Sequence, residues 1–142
     1  MDKGIFVDTW GWLTLRDRRE KHHTRVSQLF HDHISRKGLV YTTDCVLDET
    51  FTLFFKRLSF SEAQSSADLI LNVACADDIC LERISPDRFQ TTCEFRKRFH
   101  DKPSISFTDL SSMVVMQELG IQHILTGDAH FTHVNLGFVI IP

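Results

Sequence analysis

Four short stretches of the chain carry carboxylates where they can do chemistry. They are FVDTW at Asp8, DCVLDETF at Asp44, Asp48 and Glu49, SFTDLSS at Asp109, and LTGDAHF at Asp128. Each acid follows an apolar strand-like run or stands near the start of a helical pattern. Taken singly, an acid in a first helical turn is favoured by the helix dipole and needs no further role. Brought together at one edge of a sheet, four carboxylates repel one another and hold their protons more tightly. Asp8, Glu49, Asp109 and Asp128 have no lysine or arginine beside them in the chain. Hard divalent ions with oxygen ligands are the natural counter-charge. A carboxylate-held Mg²⁺ activates water and stabilises the leaving oxygen in phosphodiester cleavage.

Such acids work only if secondary structure brings them together. Ile5–Val7 reads as a short buried strand ending at Asp8. Val26, Leu29, Phe30, His33 and Ile34 recur at helical spacing and Gly38 closes that helix. Leu39–Thr42 is a second strand, and a helix starts near Asp44 with Val46, Leu47, Phe51, Phe54, Phe55 and Leu58 on a wide stripe. Ser61 with Gln64 forms a capping-box pattern for the next helix. Ile79–Ile84 is strand-like, Ser85-Pro86-Asp87 starts a helix, and Thr108 is the expected cap of another that stops at Gly120. His123–Thr126 and Gly137–Ile141 complete the strands. Alternating strands and helices, with continuous apolar strands, predict an α/β sandwich with a parallel sheet covered on both faces. Ligands bind such sheets at the carboxyl ends of the strands, where Asp8 and Asp128 fall.

The totals fit one globular domain. The chain has 142 residues, 42% hydrophobic and 25% charged, and its 12 phenylalanines are expected to supply much of the core. No apolar run is long enough for a membrane span, and MDKGIFVDTW lacks the long apolar stretch of a secretory signal, so a cytoplasmic protein is expected. Cys45, Cys75, Cys80 and Cys93 form no C-x-x-C pair and read as reduced thiols. A net charge of −3 argues against general nucleic-acid binding, but Arg16, Arg18, Arg19 and Lys21 form a local basic cluster, as do Arg96, Lys97 and Arg98.

FVDTWGWL, TTDCVLDETFTLF, FHDKPSISFTDLSSMVVMQELGI and ILTGDAHF, in that order, resemble the PIN-domain ribonucleases, in particular the VapC-type toxins of bacterial toxin–antitoxin pairs. The third stretch is the most specific, and together they span almost the whole chain. The resemblance implies one PIN domain over residues 1–142, a PIN-like three-layer sandwich with four to five parallel strands, a Mg²⁺ or Mn²⁺ site and endonuclease action on RNA. It also implies a small antitoxin partner and a homodimer. Asp8, Glu49, Asp109 and Asp128 become the acidic quartet. On helical periodicity alone Asp48 and Glu49 point about 100° apart and neither is preferred; the resemblance selects Glu49.

Several further residues are candidates with a plain structural alternative. Thr9 and Thr126 support the carboxylates or simply cap turns. Asp101 joins the site or forms a turn salt bridge with Lys102. His130 reaches substrate phosphate; with His133 it makes H-x-x-H, which lacks the further soft ligands of a zinc site. Trp10 and Trp12 stack on an unpaired RNA base or pack in the core or a dimer interface. Arg16 and Arg19 track the phosphate backbone or form a solvated face. Aspartyl-phosphate hydrolases expect D-x-D after the first strand, where this chain has Asp8-Thr9-Trp10, and receiver domains need acids and a lysine that are not in place. A housekeeping RNA-processing nuclease without an antitoxin, and a non-catalytic PIN-like binding module, are the remaining rivals. The second would be marked by loss of part of the quartet, and all four acids are present.

Overall fold

The computed structural model describes residues 4–142. Its elements run β1 (Gly4–Val7), α1 (Thr9–Arg16), α2 (His23–Ser35), β2 (Leu39–Thr43), α3 (Asp44–Arg57), α4 (Phe60–Cys75), β3 (Cys80–Glu82), α5 (Pro86–Arg98), α6 (Phe107–Leu119), β4 (His123–Leu125), α7 (His130–His133) and β5 (Val139–Ile141). The five strands form one sheet in the order β3-β2-β1-β4-β5, and every neighbouring pair is parallel. β1 is central and wholly buried, which is why Gly4–Val7 carries no polar side chain. The chain moves outward from β1 to β3, then returns past β1 to β4 and β5. With right-handed crossovers, that reversal puts the helices between β1 and β3 on one face and those after β3 on the other. The result is the three-layer α/β sandwich with a five-stranded parallel sheet.

Reversal of strand order beside β1 creates a crevice between the carboxyl ends of β1 and β4, the place where such sheets bind ligands. Register fixes it: Val7 pairs with Leu125, the last residues of their strands. The residues that follow, Asp8 and Thr126-Gly127-Asp128, therefore face one another across the crevice.

The helix starts are set by side-chain caps. Thr43 Oγ1 accepts from Val46 N at 3.0 Å and Ser85 Oγ from Arg88 N at 3.2 Å. Two caps lie upstream of the positions expected from sequence. Ser59, not Ser61, accepts from Glu62 N, and Ser106, not Thr108, accepts from Asp109 N. In each case a serine stands three residues before an acid, and the first helical turn begins one residue after it. Gly120 ends α6 in the left-handed region (φ 71°), as expected. The sequence pattern gives no helix over Thr9–Arg16 or His130–His133. TWGWLTLR places glycine and a β-branched residue in the first turn, and four residues are too short for periodicity to show.

The phenylalanines divide. Phe6, Phe54 and Phe131 are fully buried, whereas Phe60 is 74% and Phe89 53% exposed, so part of the phenylalanine content lies on the surface. All four cysteines are free thiols. Among the described residues no helix is long and apolar enough to cross a membrane.

Candidate active site

Asp8 leaves β1 in an extended conformation and caps α1. Its Oδ1 accepts from Gly11 N at 3.0 Å, and its Oδ2 accepts a short hydrogen bond from the Thr126 hydroxyl. Thr126 Oγ1 in turn accepts from Asp128 N at 3.0 Å. One hydroxyl thus ties the first-strand acid to the fourth-strand loop. Asp128 Oδ1 accepts from His130 N at 2.9 Å, a tight local turn that orients its carboxylate. The close seating of α1 depends on Gly11: a Cβ there would lie 2.7 Å from Leu125 O and 2.8 Å from Val7 Cγ1.

Asp109 is the third residue of α6, so the cap on Ser106 places its carboxylate at the same crevice. The Asp109 and Asp128 carboxyl groups are in hydrogen-bonding reach of each other. His130 Nδ1 stands 3.0 Å from Asp128 Oδ1 and 3.9 Å from Asp109 Oδ2. That nitrogen is buried yet lacks hydrogen-bond geometry to any partner. One ligand atom from each of Asp109, Asp128 and His130 falls within 4.8 Å of the others. Glu49, exposed on α3, completes the wall of a cleft of about 560 Å³ that also holds Asp8, Asp109, Asp128, Trp10 and Arg57. Asp48 does not line it.

Burial dominates the electrostatics. It pushes the Asp8 carboxyl up to about 7, against the hydrogen bonds from Thr126 and Gly11, and the charges of Asp128 and Glu49 add to the rise. Asp109 is raised by burial and then by Asp128, Asp8 and Glu49. A cleft like this takes up either protons or a cation. The donor set fits a divalent ion: two carboxylates too close to share charge unaided, and a buried imidazole nitrogen without a partner.

The remaining sequence candidates separate. Thr126 is at the heart of the site. Thr9 is in the cleft lining, but its hydroxyl bonds to none of the acids; it lies 3.5 Å from Val46 O and 3.4 Å from Thr50 Oγ1 and serves the α1–α3 contact. Asp101 is exposed and bonded to Lys102 Nζ at 2.9 Å, outside the cleft lining. Trp10 lines the cleft, half-buried, against His22 and over Gly127. Trp12 is a core residue: 3% exposed, packed edge-on against Phe30, its N–H donated to Thr42 Oγ1 at 3.1 Å. It offers no face to a base. Arg19 is bonded to Asp17 and to Arg57 O, and Arg16 Nε to Ser66 Oγ, so neither arginine borders the acids. Arg57, Ser104 and Ser106 join the cleft without having been anticipated. Ser106 was legible as a serine three residues before Asp109. Arg57, at the far end of α3 from the cap, has no local signal.

No family model matches the chain. It is 31% identical over 128 residues to the 23S rRNA-specific endonuclease VapC20 of Mycobacterium tuberculosis, spanning 90% of this chain and 92% of that protein. The crystal structure of M. tuberculosis VapC20, a sarcin–ricin loop cleaving toxin, matches with a TM-score of 0.81 at 31% identity, over 95% of this chain and 96% of that one. VapBC2 of Rickettsia felis, solved with a DNA fragment from its promoter, matches over 97% of both chains with a TM-score of 0.70 at 14% identity, a likeness of fold.

Proposed function

The chain belongs to the PIN-domain family of VapC-type toxins, and on that premise we propose that it is a divalent-metal-dependent endoribonuclease, the toxin of a toxin–antitoxin pair, with one PIN domain over residues 1–142. The observation that carries the catalytic reading is the convergence of Asp8, Asp109 and Asp128 with Glu49 in one cleft at the switch point of the sheet. Asp8, Asp109 and Asp128 would hold the ion, and Glu49, the exposed member, would orient the attacking water. Mg²⁺ or Mn²⁺ bound there supplies the positive charge that activates water and offsets charge building on the phosphodiester. Thr126 fixes the spacing of Asp8 and Asp128, since its single hydroxyl bonds to both residues. His130 sits at the rim of the cluster, within reach of a substrate phosphate oxygen. Trp10 forms the aromatic wall against which an unpaired base stacks.

Ribosomal RNA of the large subunit, the substrate named for the M. tuberculosis relative, is the first substrate to test. Purified protein is incubated with 23S rRNA and with an isolated sarcin–ricin stem-loop in Mg²⁺, in Mn²⁺ and in EDTA. Discrete cleavage in metal, none in EDTA, and none by Asp8→Asn or Asp109→Asn is the expected result. Equal cleavage by wild type and both variants would remove the acidic cleft from the chemistry. The partners proposed are an antitoxin and a second copy of the chain. Co-expression with any small open reading frame found adjacent to the gene and light scattering of the purified protein test the two separately.

A further inference from the structure

A second cavity, of about 630 Å³, opens beside the catalytic cleft between the end of α1 and the start of α4. Arg16, Arg18 and Arg19 line it, with Ser59, Ser61 and Ser65 opposite. Two acids also border it. Asp17 is 5% exposed and its carboxylate is taken by the backbone and side chain of Arg19. That leaves Glu62 against the two cations Arg16 and Arg18. Arg16 is braced by Ser66, and Arg18 is exposed and has no side-chain partner among the described residues.

The cavity and the cleft share no lining residue, but a hydrogen bond links their walls. Arg19, on the cavity side, donates to Arg57 O at 2.7 Å; Arg57 is a residue of the cleft lining, and its guanidinium stands 3.6 Å from Glu20. The same short helix serves both: Trp10 and Leu13 of α1 border the cleft and Arg16 borders the cavity. At about 1.5 Å per residue, Trp10 and Arg16 are only about 9 Å apart along α1. A negatively charged strand leaving an acidic cleft gains most where the nearest cations are unpaired.

We propose that this cavity is a phosphate subsite for the RNA strand, entered from the cleft past Arg57, with Arg18 as the contacting cation and Arg19 holding the floor. The inference rests on the endoribonuclease reading and shifts the backbone contact from Arg19, whose guanidinium is already paired, to Arg18. The chemistry is that of a bidentate guanidinium on phosphate, with serine hydroxyls as secondary donors.

The test measures anisotropy of a labelled 12-nucleotide single-stranded RNA in Mg²⁺, with every protein carrying Asp109→Asn so that the RNA stays intact. Arg18→Ala should weaken binding about fivefold or more, Arg18→Glu further, and each should lower the slope of log affinity on log salt by about 0.7 per lost phosphate contact. Arg36→Ala, at the opposite end of the sheet before β2, should bind as the parent does. In proteins that keep Asp109, Arg18→Ala should raise KM and leave kcat unchanged. Parental affinity and salt slope in both Arg18 variants, or no binding by the parent, overturns the subsite. Loss of binding in the Arg18 variants alongside a wild type that cuts no RNA would sustain the subsite and sink the nuclease reading instead.

Discussion

Asparagine in place of Asp8 should make the metal-free protein more stable, by an amount that grows with pH. The Asp8 carboxyl is raised by burial from 3.8 to about 7, a difference worth about 4 kcal/mol at about 1.4 kcal/mol per pH unit. The sign follows from proton binding. Between about pH 4 and pH 7 the folded protein holds this proton while the unfolded chain has lost it. Raising pH across that window therefore destabilises the fold, and the full penalty is present above pH 7. The substituted asparagine cannot titrate, and its amide matches a protonated carboxyl against Gly11 N and the Thr126 hydroxyl. Relaxation of the cleft and entry of water reduce the penalty, so about 2 kcal/mol is expected at pH 8, or about 6–8 °C in Tm for a chain of this length. The assay is thermal unfolding of wild type and Asp8→Asn in EDTA at pH 5 and pH 8. The variant should lie higher at both pH values, with the gap at pH 5 about a third of that at pH 8. Loss of the Asp8 charge also relieves the rise at Asp109, which acts in the same direction and favours the variant at high pH. Added Mg²⁺ should raise the Tm of wild type more than that of the variant, since it replaces the missing counter-charge only where the carboxylate remains. A Tm gap that is constant from pH 5 to pH 8, or a less stable variant at pH 8, would refute the argument that burial of this charge is held in the fold at a cost.

Three further outcomes are expected. Thr126→Val removes the donor to Asp8 and the acceptor for Asp128 N; it should cost about 1–3 kcal/mol in urea denaturation and reduce cleavage about 10–100-fold, as loss of a ligand-orienting partner does. Gly11→Ala forces a methyl to 2.7 Å from Leu125 O, a backbone atom, and should cost about 1–3 kcal/mol, read as a lower urea midpoint with an unchanged m-value. The two tryptophans should separate by assay: Trp12→Phe loses its bond to Thr42 and should cost about 1–2 kcal/mol with kcat intact, whereas Trp10→Ala should raise KM for RNA with the smaller effect on Tm.

The acids, their order and their strand ends were legible in the sequence because each depends on local pattern. A buried parallel strand must be an unbroken apolar run, so Ile5–Val7 and Ile124–Leu125 declare themselves and the residues after them stand at the sheet's carboxyl edge. Caps are legible for the same reason, although Ser59 and Ser106 show that a serine three residues before an acid outranks a hydroxyl nearer the apolar run. α1 escaped because its first turn carries poor helix formers, and it forms because Gly11 lets it lie directly on β1 and β4, a tertiary gain.

Sequence alone left Asp48 and Glu49 level, because two residues one apart on a helix differ only in direction. Direction has meaning only once α3 is placed, and the structure turns Glu49 to the cleft. Trp10 and Trp12 likewise read as a pair until α1 sends one to the cleft and the other into the core. Arg57 and Arg19 meet across 38 residues through a hydrogen bond that no local pattern encodes. The types of residue needed for the chemistry were thus fixed by sequence. Which copies of those types meet was decided by the strand order β3-β2-β1-β4-β5, because the reversal at β1 is what opens a crevice and brings distant segments to its rim.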